Sequence, residues 1–275
     1  LLAHCLPSLP LSQHGFLPRR SCESNLSVYL RHCWDSIQSG TQTDSIYTDY
    51  SAAFTSVNHT LLLHKLEKSF NVNGQALSWL KSYLTGRRQR VVLDGQCSDW
   101  IRVRSGVPEG SVCGPLLFIC FTADIPDLIQ TNCIMYADDI KLYHRINSPS
   151  DSAALQADLD RLSSWSLTWR LNLNPTKCHV ISFSLRKSPI VATYTLHDAV
   201  LQRRTETRDL GVILDTKLTF ASHVDSTVAK ANRMLGLLVR SMQTARRYGR
   251  ARFDHKAMIS AYYAHVRAIL EYGCV

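Results

Sequence analysis

Ile134-Met135-Tyr136-Ala137-Asp138-Asp139-Ile140-Lys141-Leu142-Tyr143 sets two adjacent carboxylates between two short runs rich in strand-forming residues. The runs suit a pair of strands and a tight turn, so the stretch predicts a β-hairpin with Asp138 and Asp139 at its tip. Like charges that close repel and raise one another's pKa unless a cation sits with them. Neighbouring hard oxygen donors suit Mg²⁺, which keeps some of its waters and bridges to phosphate oxygens. The alternative at this point is a solvated Asp-Asp turn.

Such a hairpin needs a body to pack on. With 275 residues, 45% of them hydrophobic, the chain can bury the core of one large domain or two small ones. The longest apolar stretch, Pro115 to Phe121, is far too short to span a membrane. Leu1 to Leu11 is apolar but has no Met and no basic n-region, which argues against a leader. A start at Leu-Leu and an end at Glu-Tyr-Gly-Cys-Val lead us to expect a segment of a longer protein. The nine cysteines are scattered, with no CxxC pair and no paired His spacing. Buried free thiols in a reducing compartment are therefore expected rather than disulfides or zinc ligands.

Charge is unevenly placed. The formal net charge is +9, and residues 216–275 hold ten Lys/Arg against three Asp/Glu. This predicts a near-neutral body carrying the carboxylates and a basic C-terminal region facing a polyanion.

The pattern along the chain alternates helices and strands. Residues 1–20 read as loop, and Ser21 as the cap of a helix over 22–37. A strand over 44–49 follows. Asn58 caps a helix carrying Leu61, Leu62, Lys65, Leu66 and Phe70, and a further helix covers 75–84. Residues 87–93 and 100–104 read as strands joined through Asp94-Gly95. A glycine-rich loop, 105–111, leads into an apolar helix over 114–129. After the carboxylate hairpin come a helix from Ser150 or Ser152 to Trp169, a turn over 172–177, and a strand over 179–184. Short strands follow over 190–215, with Leu210-Gly211-Val212-Ile213-Leu214 the clearest. Two basic helices, 221–246 and 253–271, finish the chain. The alternation with hairpins indicates α+β or mixed α/β for the body, followed by a helical tail.

A metal site at the hairpin needs a separate carboxylate, and Asp49 at the end of Ser45-Ile46-Tyr47-Thr48 qualifies. Two metal ions about 4 Å apart, held by Asp49, Asp138 and Asp139, would activate a 3′-hydroxyl and stabilise a leaving pyrophosphate.

Tyr47-Thr48-Asp49-Tyr50-Ser51-Ala52-Ala53-Phe54 resembles motif A of reverse transcriptases of non-LTR (LINE-type) retrotransposons. The stretch from Ser105-Gly106-Val107-Pro108-Glu109-Gly110-Ser111 to Phe118 resembles their motif B, and Tyr136-Ala137-Asp138-Asp139 their motif C. Leu171-Asn172-Leu173-Asn174-Pro175-Thr176-Lys177 resembles motif D, Leu210-Gly211-Val212 the primer-grip hairpin, and His14-Gly15-Phe16 with Arg20-Ser21 a fingers segment. Six motifs in register cover nearly the whole chain.

The resemblance implies a right-hand polymerase fold: partial fingers over 1–43, a palm with a small antiparallel sheet over 44–215 and a fingers-like insertion near 75–105, and the start of a helical thumb over 216–275. It implies an RNA-directed DNA polymerase acting on an RNA template, a DNA primer or target and dNTPs, inside the cell and in the nucleus at the site of action. Asp49, Asp138 and Asp139 would hold two Mg²⁺ ions, with Lys177 near the pyrophosphate as a catalytic partner. Tyr50, Phe54, Gly106, Pro108, Glu109 and Gly110 would bind the nucleotide, Phe54 as the steric gate that rejects a 2′-hydroxyl. Leu210 and Gly211 would grip the primer. The basic helices would hold the duplex backbone without reading its sequence, and Arg87, Arg88 and Arg90 would meet template or stand as an exposed strand.

The chain departs from the family pattern at Thr55, where Asp is usual, at Cys113, and at Glu109, where Gln is usual. A carboxylate facing a triphosphate costs on the order of a few kcal/mol. An alternative therefore stands: a catalytically decayed or co-opted fragment that keeps only nucleic-acid binding. An RNA-templated RNA polymerase is disfavoured by Phe54 and by Ala137 in the third motif.

Overall fold

The structure is a computed structural model that describes residues 1–247 and 255–274. It divides into two compact units, Leu1–Arg204 and Thr205–Val275.

The first unit opens with a helical turn, Leu2–Cys5, where the prolines led us to expect loop. Helix α1 (Cys22–Gln38) begins as expected at Ser21, whose hydroxyl accepts from the Ser24 N–H while the Ser24 side chain accepts from the Ser21 N–H. This reciprocal cap satisfies two otherwise orphaned donors. Strand β1 (Gln42–Thr48) follows, then the single turn α2 (Ala53–Ser56), α3 (His59–Phe70) and α4 (Gly74–Leu84). Asn58 caps α3 through its side-chain oxygen, at 3.1 Å from the Leu61 N–H.

The strand expected over 87–93 breaks into two-residue ladders, 88–89 with 101–102 and 92–93 with 96–97. Both faces of these ladders are exposed, and a two-stranded ribbon with no covered face gains little from lengthening. The Asp94-Gly95 turn is present, with positive φ at both residues. The apolar helix expected over 114–129 is α5 (Cys113–Phe121) followed by a separate turn, Ile125–Leu128. Pro126 explains the break: it lacks an N–H, and its ring clashes with a carbonyl one helical turn back.

Strands β2 (Asn132–Tyr136) and β3 (Asp139–Ile146) form the carboxylate hairpin. Helix α6 (Pro149–Trp169) starts earlier than expected, because Ser148 and Asp151 form the cap. Strands β4 (His179–Phe183) and β5 (Gln202–Arg204) complete a five-stranded sheet of order β5-β4-β1-β3-β2. All its pairings are antiparallel except β5 with β4. Tyr29 of α1 packs edge-on against Tyr47, Tyr143 and Phe183 on one face. Ile46, Ile140, Leu142 and Val180 share the main core with Leu155, Leu159 and Leu162 of α6. Alternation along each strand sends those two sets to opposite faces. The two covered faces put the carboxylate hairpin at the end of a packed sheet.

The second unit contains the hairpin β6 (Glu206–Asp209) and β7 (Val212–Asp215), then α7 (Ala221–Arg247) and α8 (His255–Tyr262). Leu210 and Gly211, expected inside a strand, are its turn. Both have positive φ, +44° and +92°, the twist that a two-residue hairpin needs. The expected start of the last helix at Phe253 lies outside the described residues, and a five-residue π turn, Tyr263–Arg267, follows α8. All nine cysteines are free thiols, but only Cys5, Cys33, Cys120 and Cys178 are buried as expected; Cys97 and Cys274 are exposed. No helix among the described residues is long and apolar enough to cross a membrane.

Candidate active site at the carboxylate hairpin

Strand β1 carries Asp49 just past its end, next to β3. Their register runs to Thr48 opposite Ile140, so one further step sets Asp49 opposite Asp139. The hairpin turn is Ala137-Asp138, and Asp139 is the first residue of β3, paired with Tyr136. The sequence reading placed both acids at the tip; a two-residue loop has room for only one. Ala137 has φ +55°, a conformation costing a non-glycine residue about 1–3 kcal/mol. Asp138 is half-buried and Asp139 exposed. Burial raises the Asp138 carboxyl above its ordinary value and the nearby charge of Asp49 adds to this, while its own backbone N–H opposes both.

The turn over 172–177 reaches the same place. The Asn174 N–H donates to the Asp49 carbonyl at 2.8 Å, the Ser51 N–H to the Asn172 carbonyl at 2.8 Å, and Tyr50 bridges to Leu173. This brings the Lys177 Nζ to 3.2 Å from Asp49 Oδ2. That oxygen is shielded from solvent and accepts no aligned hydrogen bond. A buried, incompletely satisfied carboxylate oxygen beside a second carboxyl fits a divalent cation in the chemistry of its donors. Among the described residues, no three His, Cys, Asp or Glu side chains converge on one point. Two of the three expected acids thus lie together, with Asp139 beside them on the strand.

Phe54 lies on α2, stacked on Phe118 with centroids 4.3 Å apart and edge-on to Phe16 at 6.2 Å. The glycine-rich loop is stitched to α2. The Gly106 N–H donates to the Val57 carbonyl, the Val107 N–H to the Phe54 carbonyl, and Ser105 Oγ to the Thr55 carbonyl. A Cβ on Gly106 would lie 2.7 Å from both Thr55 Cα and its carbonyl oxygen. The close approach made by Gly106 is therefore to Thr55 of this chain. Pro108 is half-buried, and Glu109 and Gly110 are exposed. Tyr50, expected at the nucleotide, is only 4% exposed and part of the core; burial raises its phenol well above the ordinary value. Its isolated bridge to Leu173 holds it beside the sheet, where its ring joins the core.

A family model described as "Reverse transcriptase (RNA-dependent DNA polymerase)" matches residues 1–221. The chain belongs to the reverse transcriptase family. It is 33% identical over 232 residues to a probable RNA-directed DNA polymerase from transposon BS of Drosophila melanogaster, covering 81% of this chain and 25% of the relative. It is 31% identical over 230 residues to the RNA-directed DNA polymerase from mobile element jockey of Drosophila funebris, covering 80% and 25%. The chain thus spans about a quarter of the length of these relatives. An apo telomerase from Candida tropicalis, truncated from its C-terminal domain, superposes with a TM-score of 0.52 at 11% identity, over 76% of this chain and 40% of that one. A telomerase from Candida albicans in complex with a fragment of telomeric RNA gives 0.50 at 11% identity, over 95% and 46%. These likenesses establish the polymerase fold expected from the motifs.

As a reverse transcriptase chain, it belongs to a family with a divalent-metal requirement. Leu210 and Gly211 lie in the second unit. Tyr272 donates its hydroxyl to the Leu210 carbonyl at 2.6 Å, and a Cβ on Gly211 would meet the Tyr272 ring at 2.7 Å. Two contributors went unread in the sequence. Lys141, buried on β3, donates to Asn25 Oδ1 of α1 at 2.8 Å. Gln13, just before the His14-Gly15-Phe16 segment, contacts the Ala137-Asp138 turn. A polar residue at a position that burial would give to an apolar one is the only sequence signal either carries.

Proposed function

We propose that the chain carries the polymerase centre of a retrotransposon RNA-directed DNA polymerase, extending a DNA 3′ end on an RNA template with dNTPs. The observation that carries this reading is the Asp49 carboxylate, paired with the exposed Lys177 at 3.2 Å, whose charge bears on the half-buried Asp138. In this reading Asp49, Asp138 and Asp139 hold two Mg²⁺ ions. Bound there, the ions supply activation of the primer 3′-hydroxyl and stabilisation of the leaving pyrophosphate.

The chain's own residues do the rest. The Phe54 ring, held by Phe118, is in this reading the gate that rejects a ribose 2′-hydroxyl. The Lys177 ammonium neutralises Asp49 before substrate arrives and is free to turn to the pyrophosphate, being well exposed. The loop over 105–110 backs the nucleotide through its bonds to α2. Leu210 and Gly211 meet the primer, and exposed Lys230, Arg233 and Arg240 of α7 meet the duplex backbone. In the same reading, 1–43 is fingers, 44–215 palm and 216–275 the start of the thumb, and the work is done on chromosomal DNA in the nucleus.

The test is extension of an oligo(dT) primer on poly(rA) with Mg²⁺ and dTTP. Extension by the chain, lost in Asp138→Ala/Asp139→Ala, is the expected result. Recovery only in Glu109→Gln would identify an enzyme disabled at one exposed residue. Silence from every variant together with salt-sensitive duplex binding would refute the catalytic reading and leave a nucleic-acid-binding fragment.

A further inference from the structure

The turn before Asp138 is shaped from the far N-terminal segment. The Met135 N–H donates to the Ser12 carbonyl at 2.9 Å and the His14 N–H to the Met135 carbonyl at 2.8 Å, a parallel bridge centred on Gln13 and Met135. Residues 12–14 thus run alongside β2 in its own direction, toward the hairpin tip. At the tip, Gln13 Oε1 accepts from the Ala137 N–H at 2.8 Å and from the Gly15 N–H at 2.7 Å, and Gln13 Nε2 donates to the Ala137 carbonyl at 3.2 Å. A primary amide has both a donor and an acceptor, so this side chain answers both backbone groups of one residue, as a neighbouring strand would.

Three further observations point the same way. Gln13 is 1% exposed, so its amide is shielded from bulk solvent. The residue it grips, Ala137, is the one with φ +55°. A Cβ on Gly15 would lie 2.4 Å from the Ala137 nitrogen, so the segment presses on the turn as closely as a residue without a side chain allows.

We infer that Gln13 is a positioning residue for Asp138: its amide holds Ala137 in the left-handed conformation that sets the Asp138 carboxyl beside Asp49. The inference rests on the polymerase reading of that carboxylate pair. Only glutamine has both the reach and the paired donor and acceptor; methionine matches its length and bonds to neither backbone group.

The test measures Mn²⁺ binding to the 275-residue chain by electron paramagnetic resonance, together with kcat and KM for primer–template. Groups that orient metal ligands from outside change affinity or activity by about 10–100-fold. Gln13→Met should weaken Mn²⁺ binding and lower kcat by about that factor, with KM for primer–template unchanged. Adding Ala137→Gly should restore much of the loss, because glycine takes positive φ freely. A role confined to folding would lower the melting temperature, leave Mn²⁺ affinity alone and show no recovery with glycine. If the parent chain binds Mn²⁺, Asp138→Asn does not, and Gln13→Met equals the parent, the inference is overturned and the site reading survives. If the parent chain binds no Mn²⁺, both fall together. Should Gln13→Met give no cooperative melt, Gln13→Asn, which keeps the amide without adding charge and loses only the reach, is held to the same outcomes.

Discussion

Replacing Gly106 with alanine separates two reasons for a glycine in the 105–110 loop. If glycine is there for a nucleotide, the empty protein should tolerate the added methyl group; if it is there for Thr55, the fold itself should suffer. The residue has φ +88°, and the new Cβ would sit 2.7 Å from Thr55 Cα and carbonyl oxygen, both backbone atoms that cannot swing away. The left-handed conformation costs an alanine about 1–2 kcal/mol, and forcing a methyl into packed backbone about 1–3 kcal/mol more. The sum is roughly 2–5 kcal/mol, a large part of a typical stability. Gly110 is the control, since it has φ +69° but nothing within 4 Å of a built Cβ. It should lose only the conformational part, about 1–2 kcal/mol. The smaller entropy of the unfolded alanine chain offsets both variants by about 0.4–1 kcal/mol and cancels in their difference. At about 2–4 °C per kcal/mol for a unit of this size, Gly106→Ala should melt lower than Gly110→Ala by about 2–12 °C in circular dichroism without nucleotide. Equal melting of the two variants would refute the reasoning.

Further outcomes follow from the buried charges. Because the folded-state pKa of Asp138 is raised by burial and by Asp49, the folded protein holds that proton more tightly than the unfolded chain does. Its contribution to stability is then best at low pH and declines as pH rises from the ordinary carboxylate value through the raised one. In EDTA, Asp138→Asn should flatten that decline and raise the melting temperature near pH 7; a parallel pH profile for both proteins would contradict it. Lys65, with a side chain only 2% exposed, lies 2.6 Å from Asp124 and 3.6 Å from the centre of the Trp169 ring. Asp124→Ala leaves that ammonium only the Phe121 carbonyl, 2.6 Å away, and should cost about 1.5–3 kcal/mol in urea unfolding. Lys65→Met, which leaves a partly exposed carboxylate and an apolar chain among aromatics, should cost less; the reverse order would sink the argument.

Much of this was legible in the sequence because it depends on local chemistry. Ser21 and Asn58 cap helices wherever they precede an apolar periodic run, and Asp94-Gly95 turns a hairpin by its own backbone preferences. The family motifs marked Asp49 and Lys177, which lie 3.2 Å apart, Asp138, whose carboxyl feels the Asp49 charge, and Asp139, which stands exposed at the start of β3. Where the reading slipped, the neighbours of a segment overrode it. The run over 87–93 had strand composition, but no layer covers it. Tyr50 sat in a motif, yet its ring is part of the core.

Which side chains carry charge, where helices start and where strands turn were local properties, since each follows from one residue and its near neighbours. Tertiary structure alone decided that Gln13 reaches across 124 residues to Ala137, that Lys177 stands against Asp49, and that Gly106 is reserved for Thr55. Those contacts join elements far apart in the chain, and only their packing brings the atoms within the few ångströms at which a hydrogen bond, an ion pair or a steric clash has any energy.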